Sequence, residues 1–107
     1  MKPLRFLGSS LDDLREMPAP VRQALGVELM TVQYGGLPSD FKPISSVGAG
    51  AYEIRHRDAN GAFRVIYVAK QADAIYVLHA FQKKTRTTRK TDIDLAAKRY
   101  KLIGEAP

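Results

Sequence analysis

The stretch from Ala51 to Phe81 limits the fold more than any other part of this sequence. Tyr52, Ile54 and His56 alternate with Glu53, Arg55 and Arg57, the period of two that marks a half-buried strand. Asp58-Ala59-Asn60-Gly61 supplies turn chemistry, because Asn and Gly tolerate positive φ. Residues 63–68 are rich in β-formers, and residues 70–73 turn the chain again into residues 74–81. These last two segments are apolar at nearly every position, as expected of a strand covered on both faces or lying centrally. The spacing predicts three strands in an antiparallel meander.

The remaining chain reads mainly as helix and loop. Residues 4–7 are expected to form a short first strand. Ser9 or Ser10 can cap a helix over residues 11–17, with Asp12, Asp13 and Glu16 near its positive end. Pro18 and Pro20 interrupt it, and Pro20 suits the first turn of a second helix. Val21, Leu25, Glu28 or Leu29, and Val32 follow a helical stripe that Gly35-Gly36 stops, so a helical hairpin is expected. Residues 36–50 read mainly as loop. Thr91 before Asp92-Ile93-Asp94 predicts the cap of a last helix, with Ile93, Ala96, Ala97, Tyr100 and Ile103 on one face and Gly104 at its end. The predicted order is β-α-α-β-β-β-α, in the α+β class and in a single domain over residues 1–107.

The net charge of +6 comes from one segment: eight basic residues and two acids lie between Lys83 and Lys101, and the rest of the chain balances nine against nine. That clustering is the electrostatic footprint of a polyanion ligand, an acidic protein partner or a solvated basic face. The absence of cysteine excludes a disulfide framework, a thiol nucleophile and a zinc–thiolate site. No apolar run approaches the roughly 18 residues of a membrane span, and the first residues lack a signal peptide's apolar core. A cytoplasmic protein without membrane contact is expected.

Three segments together resemble the RelE/ParE toxin superfamily, and within it the phage-derived, HigB-like branch. They are Tyr52-Glu53-Ile54-Arg55, Phe63-Arg64-Val65-Ile66-Tyr67 and Val77-Leu78-His79-Ala80-Phe81-Gln82-Lys83-Lys84-Thr85. The resemblance spans nearly the whole chain. It implies a curved sheet flanked by helices and the toxin role of a type II toxin–antitoxin module, with messenger RNA on the translating ribosome as target. It further implies a cognate antitoxin, expected to be a helix-turn-helix protein, and places one of Lys83 and Lys84 where relatives carry a basic residue that helps neutralise the scissile phosphate.

The residues bear on that chemistry independently. Metal-free RNA cleavage by the 2′-OH needs a proton acceptor, cations for the phosphate's developing charge, and a donor to the leaving oxygen. Arg55, Arg57 and Arg64 suit the second role, because a planar guanidinium binds phosphate bidentately. A tight hairpin would set Arg64 across from the strand of Arg55 and Arg57. The same arginines would equally serve as solvent-face residues that discourage edge pairing. Arg86, Arg89 and Lys90 are the candidate backbone grip for RNA, or else part of a flexible basic loop.

The proton acceptor stays open at this level. His56 shares its face with Tyr52 and Ile54, away from the arginines, and His79 sits among apolar strand residues. Glu53 shares the arginine face as a base or an ion-pair partner, a lysine depressed by its neighbours is another candidate, and Tyr100 reads as core. No metal, dinucleotide or nucleophile-elbow motif occurs, so no cofactor is implied. Three functions stand: an endoribonuclease, a ParE-like gyrase poison, and a basic binding module without activity.

Overall fold

The computed structural model describes residues 1–103; Gly104, expected to end the last helix, lies outside them. The elements run β1 (Leu4–Phe6), α1 (Ser10–Arg15), α2 (Ala19–Gln33), β2 (Phe41–Pro43), β3 (Ala51–Asp58), β4 (Gly61–Val68), β5 (Ile75–Lys83) and α3 (Lys90–Tyr100). They build one five-stranded sheet in the order β1-β5-β4-β3-β2, antiparallel except where β1 joins β5 in parallel. The expected meander is its centre, with β4 buried beyond Gly61 and β5 largely buried as far as Ala80. Among the described residues no helix is long and apolar enough to cross a membrane.

Helices cover the sheet from two sides. α1 and α2 press Leu14, Val21, Leu25, Leu29 and Val32 onto Ile54, Phe63, Val65, Tyr67, Ile75 and Val77. The buried residues of α2 are the expected stripe, with Leu29 inside and Glu28 outside. Gly35, at φ 90°, closes this helix in a conformation that other residues adopt only with strain. On the opposite face, Ala96 of α3 meets Ile66, Val68 and Leu78, joined by Ile44 and Val47 from the loop before β3. Tyr100 belongs to this packing, its hydroxyl donating to the Ala49 carbonyl at 2.7 Å.

Three local details differ from the sequence reading. Within the mainly looped segment 36–50, Phe41–Pro43 forms a strand that was not expected, paired antiparallel with β3. Its proline is tolerable because the strand lies on the sheet's edge. The last helix begins at Lys90 rather than after Thr91, with Arg89 in extended backbone as its N-cap. Ser9 occupies the N-cap of α1, yet its hydroxyl donates to the Asp13 carboxylate at 2.8 Å instead of accepting from the backbone.

Two irregularities set the site. The hairpin between β3 and β4 is tight, pairing Asp58 with Gly61 around Ala59-Asn60. Gly61 alone in it takes positive φ, 122°, and the Asn60 N–H donates to the Asp58 carboxylate at 2.7 Å. The second irregularity is a bulge in β5: Ile66 pairs with His79 but Tyr67 with Val77, leaving Leu78 as the extra residue. The Leu78 carbonyl is taken up by Arg99 of α3 at 2.8 Å. One extra residue reverses the facing of every later side chain in the strand. His79, Phe81 and Lys83 therefore point to the α3 side, together with Arg64.

Candidate functional site

α3 covers only part of its side of the sheet. Beyond it, toward the β3–β4 turn, the same face carries Arg55 and Arg57 of β3, Arg64 of β4 and Lys83 of β5. Arg55 lies directly opposite Arg64, and Ala62 lies between Arg57 on one side and Lys83 on the other. Neighbouring strands are about 4.8 Å apart, so Arg57 and Lys83 start roughly 10 Å from each other with a methyl group between them. Arg57, Gly61, Ala62, Lys83, Lys84, Thr85 and Arg86 line one cleft. A second hollow beside it is lined by Asp40, Arg55, His56, Arg57 and Arg64, so Arg57 is common to both.

The cations are not equivalent. Arg55 is engaged with Asp40, its Nε and Nη2 donating to one carboxylate oxygen at 3.0 and 2.8 Å. Arg64 is buried, with 6% of its surface exposed; its Nη1 donates to the Phe63 carbonyl at 2.9 Å. The expectation of Arg64 on a solvent face is thus corrected: its guanidinium turns back to the Phe63 carbonyl and lies beside the buried Glu53. Its Nε stands 3.8 Å from Glu53 Oε1, and neither atom has a hydrogen-bond partner among the described residues. Burial lowers the Arg64 pKa, Glu53 opposes that, and Arg55 and Arg57 add to it. Lys83 is lowered as well, first by burial and then by Arg64. Arg57, Lys84, Arg86 and Arg89 are exposed and form no ion pair among the described residues. Lys90 is paired with Asp94 on the outside of α3 at 2.9 Å.

Glu53 is the anion at the centre of this arrangement. No part of it is exposed, Lys42 Nζ lies 3.7 Å from Oε1, and Oε2 accepts from the Thr88 hydroxyl at 2.7 Å. Two arginines opposite each other on adjacent strands repel. Glu53 and Asp40 offset that repulsion. Of the acid–base candidates other than lysine, Glu53 is the buried ion-pair partner just described, and the two histidines and Tyr100 are committed elsewhere. His79 is buried, stacked on Phe81 with centroids 4.5 Å apart, and its Nε2 meets Asp92 Oδ1 at 2.7 Å. His56 pairs with Phe63 in register, and its ring meets Asp58 at 3.1 Å. Tyr100 is held to Ala49, as described above. Asp40, Lys42, Ala62 and Thr88 belong to the site and carry no signal in the sequence, since each is defined by what folds next to it.

A family described as "Phage derived protein Gp49-like (DUF891)" matches residues 12–101. The chain belongs to this family. No curated protein matches it. Among solved structures, the Escherichia coli toxin RelE, as a mutant in the free state, superposes with a TM-score of 0.66 at 17% identity, over 95% of this chain and 97% of that one. At that identity the likeness speaks for the fold, which is RelE-like. The cationic cleft of this Gp49-like chain is formed by the three strands of the meander. Among the described residues no three His, Cys, Asp or Glu side chains gather as a metal site requires.

Proposed function

We propose that the chain is the toxin of a type II toxin–antitoxin module, HigB-like in kind, which cleaves messenger RNA on the translating ribosome. The observation that supports this most is the gathering of Arg57, Lys83, Lys84 and Arg86 around the Ala62 floor, with buried Arg64 beside them. Such a group suits a phosphodiester whose non-bridging oxygens gain charge in the transition state.

The reaction needs no group beyond the chain and its substrate. The RNA 2′-OH attacks the adjacent phosphorus, the bond to the 5′ oxygen breaks, and the products end in a 2′,3′-cyclic phosphate and a 5′-OH. Arg57 and Arg64 hold the non-bridging oxygens. Lys83, whose ammonium form is disfavoured by burial and by Arg64, takes the 2′-OH proton as the neutral amine. Lys84 gives a proton to the departing oxygen. Arg86 and Arg89 grip flanking phosphates, with Lys90 contributing less because Asp94 holds it. Arg55 acts through Asp40 and Arg64, setting the field of the cleft rather than meeting the substrate.

Restraint of such an activity calls for a cognate antitoxin, a helix-turn-helix protein with an acidic segment complementary to the cleft. A competing reading, the gyrase poison, draws on one observation: neither imidazole nor the Glu53 carboxylate lines the Ala62 cleft. A ribosome programmed with a defined message separates the two. Cleavage is expected inside the coding sequence, and a 2′-deoxy nucleotide at the scissile position should abolish it. Cleavage that survives that replacement would overturn the mechanism, and an intact message would overturn the activity.

A further inference from the structure

We infer that Glu53 is a positioning residue that fixes both halves of the cleft, the Arg64 guanidinium by its charge and the loop 84–89 through Thr88. The inference deepens the proposed function, because it treats the cleft as a phosphate site. A fully buried carboxylate is costly unless it is paired. Here its two oxygens are divided. Oε2 accepts from Thr88 at 2.7 Å, and Oε1 faces Arg64 Nε at 3.8 Å and Lys42 Nζ at 3.7 Å.

The Thr88 bond is the one side-chain hydrogen bond from loop 84–89 to the sheet among the described residues, since Thr85 bonds within the loop, to the Thr87 carbonyl. That loop carries Lys84, Arg86 and Arg89, three like charges that repel one another and favour an open, solvated loop. Thr88 holds them against the floor before any RNA arrives, which lowers the ordering cost of binding. Downstream, Asp92 and His79 fix the start of α3 independently, so loss of the Thr88 tether frees the loop without releasing the helix. One carboxylate thus connects the guanidinium at the reacting phosphate with the grip on its neighbours.

The two functions come apart in two variants. Thr88→Val removes the tether and leaves the charge; Glu53→Gln removes the charge and keeps an amide oxygen for Thr88. For Thr88→Val the expected result is faster amide exchange over residues 84–89 and roughly fivefold weaker binding of a short 2′-O-methyl RNA, the worth of one hydrogen bond. Cleavage at saturating message should stay within about twofold, and Thr88→Ser should restore binding. Glu53→Gln should bind that RNA as tightly as the parent yet cleave about tenfold more slowly.

The Lys83 side chain gives a readout that a purely structural role would not move. Burial lowers its pKa first, Arg64, Lys42 and Arg55 add to that, and Glu53 alone among its charged neighbours raises it. NMR titration of the lysine Cε should therefore find the Lys83 pKa lower than the parent's in Glu53→Gln and not lowered in Thr88→Val, which keeps the Glu53 charge. Parental exchange and affinity in Thr88→Val would overturn the inference, as would identical defects in the two variants. If Glu53→Gln does not fold, the Thr88 pair decides alone. Should the parent leave messages intact while Thr88→Val still loses loop protection and RNA affinity, the positioning role stands and the cleavage reading falls.

Discussion

The two faces of the sheet are built from the same strands and have opposite characters. The α1–α2 face is apolar along β3, β4 and β5, with Ile54, Phe63, Val65, Tyr67, Ile75 and Val77 all buried under two helices. The α3 face is apolar only where Ala96 and the loop at Ile44 and Val47 reach it. Past that cover the same strand β4 changes from Ile66 to Arg64 in a single pleat. The difference teaches that the site arises from incomplete coverage: a short last helix leaves strand ends bare, and bare strand ends can carry charge. Glu53 and Arg64 sit at the border, both buried, with Glu53 tied to the loop after β5 through Thr88.

Substitutions should expose this division, and the expected losses of stability fall steadily from the covered face to the bare one. Leu25→Ala, fully buried in α2, should lose about 3 kcal/mol in urea unfolding and leave the RNA affinity of the folded protein intact. A loss below about 1 kcal/mol would mean that this face is not the main core. Also on the covered face, the Tyr67 hydroxyl is pushed by burial from its ordinary 10 to about 12. The folded state therefore keeps a proton that the unfolded chain releases first. Stability is unaffected below pH 10 and falls as pH rises from 10 to about 12, by about 2–3 kcal/mol. Unfolding curves at stepped pH should show this, and Tyr67→Phe should flatten it.

Arg64→Ala comes next, with an expected loss of about 2 kcal/mol because it strands a buried carboxylate, together with loss of growth arrest. A variant as stable as the parent would show that Glu53 does not need Arg64. The smallest structural effect is the most informative. Arg57→Ala, on an exposed side chain, should change stability by less than about 0.5 kcal/mol while cleavage falls about 100-fold. Calorimetry and single-turnover cleavage on the same preparation would check both halves.

The division of the sheet was only half legible in the sequence. The hairpin of β3 and β4 was readable because residues 58–61 are turn formers, but its register was not: the turn falls on Ala59-Asn60, and that pairing sets Arg64 opposite Arg55. The stripe of α2 was readable because Val21, Leu25, Leu29 and Val32 repeat at helical spacing. What could not be read was anything decided by a distant neighbour. The bulge at Leu78 depends on Arg99 of α3 taking its carbonyl, and without it Lys83 would face the α1–α2 side. The tether of loop 84–89 to the sheet joins Thr88 to Glu53, two residues 35 positions apart. The strand Phe41–Pro43 was hidden because three residues containing a proline carry no period. His79 was expected to be a packed strand residue, and so it is, but its bond to Asp92 of α3 required the helix to be placed first.

The central claim is that the bare half of the α3 face acts on RNA. Mapping transcript 5′ ends after brief induction of the parent and of Arg57→Ala, side by side in one host, tests it most directly. The account predicts new 5′ ends inside coding sequences with the parent, and their absence with a variant that accumulates to the same level in folded form. Growth arrest by the parent with intact transcripts, or the same new ends from both proteins, would contradict it.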